Sequence, residues 1–219
     1  MIIAVAGETG GIGRTITALG LATAAAAAGN SSVLVDGDPY QHDAEAAARS
    51  ITTLAQTLGR TPPLRVLSLN WQDTLRWARK THTDGQVSIL DLPSIHQEDI
   101  LAVASAVVVP LPGDHRKALN TLFPTRFAMV AAENGAPCYA LVHSVRPGHE
   151  RGPTMFTVDA ETAAHDHLVT FLDARVRYSM HIRKIAAGAG IWDNDWSHLA
   201  ELYAPVWQEL RDRLALPAT

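Results

Sequence analysis

Two apolar runs near the start of the chain, "IIAVA" over 2–6 and "SVLV" over 32–35, have a glycine-rich turn and one alanine-rich stretch between them. This spacing constrains the fold more than any other feature. An antiparallel hairpin closes in a few residues, whereas two parallel strands need a crossover of about a dozen or more, usually a helix. "TITALGLATAAAAAG" supplies it. Alanine is the strongest helix former and glycine tolerates a left-handed cap, so the stretch reads as a helix over 15–28 stopped by Gly29. The alternative is a low-complexity alanine tract.

Further apolar runs over 65–69, 87–90, 106–109, 139–142 and 169–172 extend the pattern. Most are continuously apolar, as strands covered on both faces are. They predict an α/β fold: a mostly parallel twisted sheet flanked by helices on both faces. Glycine and proline mark loops over 59–65 and 146–154. "SMHIRKIAAGAG" reads as helical up to Gly188, and "SHLAELYAPVWQELRDRL" as a closing helix with a bend at Pro205. No repeat or linker divides the chain, so residues 1–219 are expected to form one domain.

At 219 residues and 47% hydrophobic content the chain can fill a core. A formal net charge of −4 argues against coating nucleic acid by overall charge, so any such binding needs a local basic patch. The single cysteine, Cys138, lies in "PCYALV" and reads as a buried thiol in a reducing cytoplasm. No apolar run reaches the ~18 residues of a membrane span, and "MIIAVAG" lacks the basic start of an export signal. A cytoplasmic protein is the expectation.

The turn after the first strand carries Gly10, Gly11 and Gly13, which let backbone N–H groups converge on phosphate oxygens at a helix N-terminus. Glycine spacing alone is a weak signal. Thr15 sharpens it, because a hydroxyl there ligates Mg²⁺ in phosphate loops while the preceding basic residue, here Arg14, reaches the β- and γ-phosphates. "VLVDGDP" puts Asp36 and Asp38 at the end of the second strand, and "VSILDLPS" puts Asp91 at the end of a later one. Ligands of open parallel sheets bind at that edge. Each aspartate taken alone also reads as a turn or helix cap.

With these motifs the chain resembles the ParA/MinD family of deviant phosphate-loop ATPases, over nearly its whole length. "TGGIGRTI" stands for the family's KGGxGKT loop, "LVDGDPYQ" for its hhDxDPQ, "ILDLPS" for hhDxPP and "VVVPLPGD" for hhxPhxP. The resemblance implies a phosphate-loop NTPase fold, with Thr9, Gly10, Gly11, Ile12, Gly13, Arg14, Thr15 and Ile16 as the nucleotide-binding segment. It also implies ATP or ADP with Mg²⁺ as cofactors. Thr15 would ligate the metal, Asp36 and Asp91 would support it from behind, and Asp38 would orient the attacking water, with Arg14 as the second catalytic group. A homodimer, non-specific DNA and a DNA-bound adaptor of the ParB type are the implied partners. No membrane partner is expected, because the last helix lacks a rich Lys/Arg face.

The loop departs from the family at both lysines: Thr9 stands for the signature lysine and Arg14 for the other. Arginine keeps the charge but is planar and bulkier, so hydrolysis is expected to be slow or absent. His143 takes the place of an adenine-contacting asparagine, and Glu8 adds a negative charge beside the loop. Arg175, Arg177, Arg183 and Lys184, with His181, form the densest basic segment, which is either a solvated surface or the DNA-binding patch the resemblance implies. His165 and His167 read as solvated rather than metal-binding. Trp192, Trp196, Tyr203 and Trp207 read as packing aromatics. The leading function is thus a ParA-like partition ATPase, and the alternative a pseudo-ATPase scaffold or accessory of DNA transfer or partition. A dethiobiotin-synthetase-like ligase is disfavoured by "VLVDGDPYQ", since that enzyme's second strand leads into a substrate-binding lysine segment.

Overall fold

The computed structural model describes residues 1–7, 13–37, 64–80, 85–93, 97–112, 126–145, 169–177, 179 and 193–215. In chain order they form β1 (Ile2–Val5), α1 (Arg14–Ala27), β2 (Ser31–Asp36), β3 (Arg65–Ser68), α2 (Trp71–Lys80) and β4 (Gln86–Asp91). There follow α3 (Glu98–Leu101), β5 (Ala106–Pro112), α4 (Arg126–Glu133), β6 (Cys138–Val145), β7 (Val169–Phe171), β8 (Val176–Arg177) and α5 (Asp193–Arg213).

The described strands join in one sheet of order β3-β2-β4-β1-β5-β6-β7, with β8 paired to β6. Every pairing among them is parallel, as the crossover spacing predicts. β1 lies between β4 and β5. The chain builds the β4 and β2 side after β1, then crosses to β5 and beyond. The C-terminal ends of β1 and β4 therefore border the crevice at a topological switch point, where open sheets take ligands.

Side chains alternate between the two sheet faces. Ala4, Val35, Leu90 and Val107 point into a core closed by Ala78 of α2, Ile100 and Leu101 of α3 and Ala131 of α4. Val5, Leu34, Ile89 and Val108 point the other way, into a core closed by α1 and α5. All seven sequence-predicted strands are present within about a residue at most ends. The short strand β8 and the helices α2, α3 and α4 add to them. The segment read as helical up to Gly188, from 180 onward, and the proline- and glycine-rich loops lie outside the described residues, apart from Leu64 and Arg65. Pro205 does sit inside α5.

α1 is buried along 16–25, held between the sheet and α5, so it is apolar on nearly every side. Its small residues make this possible. Gly20 faces the ring of Tyr203 on α5 so closely that a Cβ there would fall inside the ring's van der Waals surface. Gly20→Ala should therefore lower stability by about 1–3 kcal/mol through overpacking, despite alanine's better helix propensity. Urea unfolding of the two proteins measures it; an unchanged or raised midpoint would contradict this packing.

Candidate functional site

The register sets the site. Asp36 and Asp91 are direct partners across β2 and β4, and Val5 pairs with Asp91 from the other side. Asp36 follows Leu34 by two residues and Asp91 follows Ile89 by two, so both carboxylates belong to the α1 face of the sheet. They are almost fully buried, at 0% and 3% exposure. Both therefore share the side on which α1 begins with Arg14 and Thr15. The strand ends are laced together by the Gly37 N–H donating to the Asp91 carbonyl at 2.9 Å and the Leu92 N–H donating to the Val5 carbonyl at 3.3 Å.

The last residue of the glycine turn sets the start of α1. Gly13 caps the helix in the left-handed region, at φ 92°, which side chains other than glycine's adopt at a cost. Its carbonyl accepts the first helical bond from the Thr17 N–H at 2.9 Å. Thr15 is half-buried, and Ile16 sends its side chain into the core, where it anchors the helix. Arg14 extends across the crevice: its Nη1 donates to the Leu92 carbonyl at 2.7 Å, immediately after Asp91. A guanidinium has five N–H donors in a rigid fork, so this contact leaves the group able to hold a further acceptor at the same time.

Beneath Gly13 lies the imidazole of His143, 3.6 Å from where a Gly13 Cβ would be. His143 is 4% exposed and its Nε2 is 2.8 Å from the Tyr203 hydroxyl, which in turn lies 3.4 Å from the Thr17 hydroxyl. Burial pushes the His143 pKa down to about 4 and the Tyr203 pKa up. His143 is thus part of the floor under Gly13. Tyr203 and Trp207 are core residues, as their aromatic character predicts, and Cys138 is buried with its pKa pushed up to about 12. Inertness of that thiol follows.

Of the sequence-predicted site residues, Gly13, Arg14, Thr15, Ile16, Asp36 and Asp91 come together at this edge. Thr9, Gly10, Gly11, Ile12 and Asp38 lie outside the described residues, as do Glu8, His165, His167, His181 and Trp192, and nothing is described of the Trp196 side chain. On β8, which pairs with the C-terminal end of β6, and the turn before it, Arg175 is half-buried and Arg177 exposed, while Arg183 and Lys184 fall outside the described residues. The turn before Arg175 is pinned by Glu209 of α5, whose two carboxylate oxygens accept the N–H groups of Asp173 and Ala174 at 3.0 and 2.8 Å. Sequence reasoning misses three contributors: Gln97, whose carboxamide bonds Gly7, and the hydroxyls of Thr17 and Tyr203. No spacing rule marks them, since each acts across 60 residues or more.

No protein-family model and no curated protein matches the chain. Solved structures do. MinD, the septum site-determining protein of Pyrococcus horikoshii, in complex with Mg-ADP, is 16% identical, with 98% of this chain and 97% of that one covered and a TM-score of 0.69. A plasmid partition protein from Borrelia burgdorferi bound to AMPPNP is 14% identical over 97% of this chain and 98% of that one, at 0.65. McdA from Cyanothece in an ATP complex is 12% identical over 100% and 97%, at 0.68. The chain thus has the α/β fold of the ParA/MinD-type partition and cell-division ATPases.

The buried imidazole makes stability depend on pH. The folded pKa of about 4 lies below the ordinary 6.5, so between these values the unfolded chain binds the proton more readily. Stability contributed by neutral His143 is complete above pH 6.5 and is lost as pH falls toward 4, by about 3 kcal/mol in all. Urea unfolding followed from about pH 8 to about pH 4 should show this slope flattened in His143→Gln.

Proposed function

We propose that the protein is a ParA-like nucleotide-dependent switch for plasmid or chromosome partition, which binds ATP or ADP with Mg²⁺ and hydrolyses ATP slowly. The observation that supports this most is the pair Asp36 and Asp91, buried side by side on the face where α1 begins. Two carboxylates and the Thr15 hydroxyl are oxygen donors of the kind Mg²⁺ takes. In this reading Thr15 ligates the ion, Asp36 and Asp91 support it from behind, and the N–H groups of residues 9–16 receive the phosphates at the N-terminus of α1. Asp38 orients the attacking water. The bound ion would neutralise phosphate charge; the chain's own part is to fix the phosphates and the water.

Arg14 carries the departure from intact relatives. Its guanidinium engages the Leu92 carbonyl, so in our reading one arm of the fork stays on the β4 exit while another meets phosphate. With Thr9 uncharged, that position offers no cation to a partner's phosphates. Slow turnover follows, because phosphoryl transfer depends on placing charge at the transferred group. The same contact favours a second reading, a pseudo-ATPase scaffold or accessory of DNA transfer or partition that holds nucleotide weakly or not at all.

The remaining parts of the proposal are one domain over 1–219, a homodimer, a cytoplasmic location and a DNA-bound adaptor of the ParB type. DNA would be held without sequence preference by Arg175, Arg177, Arg183 and Lys184. Phosphate contacts need only charge on one face. Among the described residues no helix is long and apolar enough to cross a membrane.

Calorimetry with ATP and ADP, with and without Mg²⁺, tests the site. Binding should depend on Mg²⁺ and be abolished in Arg14→Ala, and Arg14→Lys combined with Thr9→Lys should raise the low turnover of the parent. No heat at millimolar nucleotide selects the scaffold reading. For DNA, mobility shifts on random-sequence duplex should weaken with salt at a slope of roughly −0.9 per phosphate contact. Arg183→Glu with Lys184→Glu should remove the shift, and equal retention of both proteins would remove DNA from the account.

A further inference from the structure

Gln97 is a buried polar side chain, 2% exposed, that the reading above does not use. Its Oε1 accepts the Gly7 N–H at 3.2 Å and its Nε2 donates to the Gly7 carbonyl at 3.1 Å. A single carboxamide thus satisfies both backbone groups of the last described residue before the glycine turn. The bonds take over where the sheet lets go. Ala6 still donates to the Val108 carbonyl at 3.0 Å and Val5 still accepts from Leu92, so Gln97 supplies the next rung with a side chain.

The main chain of Gln97 is committed as well. Its carbonyl accepts the N–H groups of Ile100 and Leu101, at 3.0 and 2.9 Å, which form the first turn of α3. One residue therefore holds the turn's near end with its side chain and α3 with its backbone. At the turn's far end Arg14 reaches the Leu92 carbonyl. Residues 7 and 14, which bracket the glycine turn, are thereby tied to residues 97 and 92, which bracket the segment after Asp91.

We propose that Gln97 is a positioning residue for the nucleotide. By fixing the peptide planes on either side of Gly7 it sets the direction in which the chain enters the glycine turn, and it ties that entry to the start of α3. This rests on the reading of the glycine turn as a nucleotide site. Removing the carboxamide leaves two buried backbone groups of Gly7 without partners, so the loop pays an ordering cost whenever phosphate binds.

The test uses the full chain with Gln97→Met, which conserves volume, and Gln97→Ala should the first fail to fold. Amide hydrogen exchange without nucleotide, resolved by residue, should show Gly7 losing protection by about tenfold or more while Ile3 and Val5 keep theirs. Titration with a fluorescent ATP analogue and Mg²⁺ should show affinity lower by about tenfold, and the thermal midpoint should fall by a few degrees, since two buried groups lose their partners. Three results would overturn the proposal: Gly7 as protected in the variant as in the parent, a parallel loss at Ile3 and Val5, or unchanged nucleotide affinity once Gly7 is released. Failure of the parent itself to bind nucleotide sinks the functional reading, and with it the positioning role; the exchange comparison then reports only whether Gln97 holds Gly7.

Discussion

The parallel pairing of β2 with β4 and of β4 with β1 is the constraint on which the site depends. Because partners in adjacent parallel strands share a face, the register that matches Leu34 to Ile89 in the core also matches Asp36 to Asp91 two residues on. A slip of one residue would turn the aspartates to the α2 face and bring core residues out of the apolar layer. The hydrophobic core and the acidic edge are therefore specified by the same alignment. Burial of the first enforces placement of the second.

Strands were legible in the sequence because they are continuous β-branched and aliphatic runs. The end-of-strand aspartates were legible because they break those runs at one level. β8 was not, since Val176–Arg177 alternates core and solvent within a polar stretch and finds its partner only in the far half of β6. α3 has four residues, too few to show a period. α2 is polar over most of its length and shows the core only Thr74 and Ala78, four apart, so its apolar stripe is faint in the sequence. The supports of the loop were hidden for a different reason. Gln97 looks like a solvated glutamine between a histidine and two acids, and only the depth of the fold shows otherwise.

His143 illustrates how a sequence position and a chemical role can part. Its place at the end of the strand that became β6 is where the resemblance puts a base-contacting group. Its ring instead lies under Gly13, bonded to a tyrosine and desolvated. A neutral imidazole with one nitrogen committed to Tyr203 serves as a packed spacer between α1, β6 and α5. Recognition of a base would need other groups.

The hydrogen bond from Thr17 to Tyr203 spans 186 residues of chain. During synthesis the first βαβ unit, with its glycine turn, leaves the ribosome long before α5 exists. Until that helix arrives, the groove at Gly20 is open, the floor below Gly13 lacks its tyrosine, and one whole face of α1 meets water. The oldest part of the nascent chain thus waits for the youngest, and Gly13 and the start of α1 gain their final packing only when folding is nearly finished.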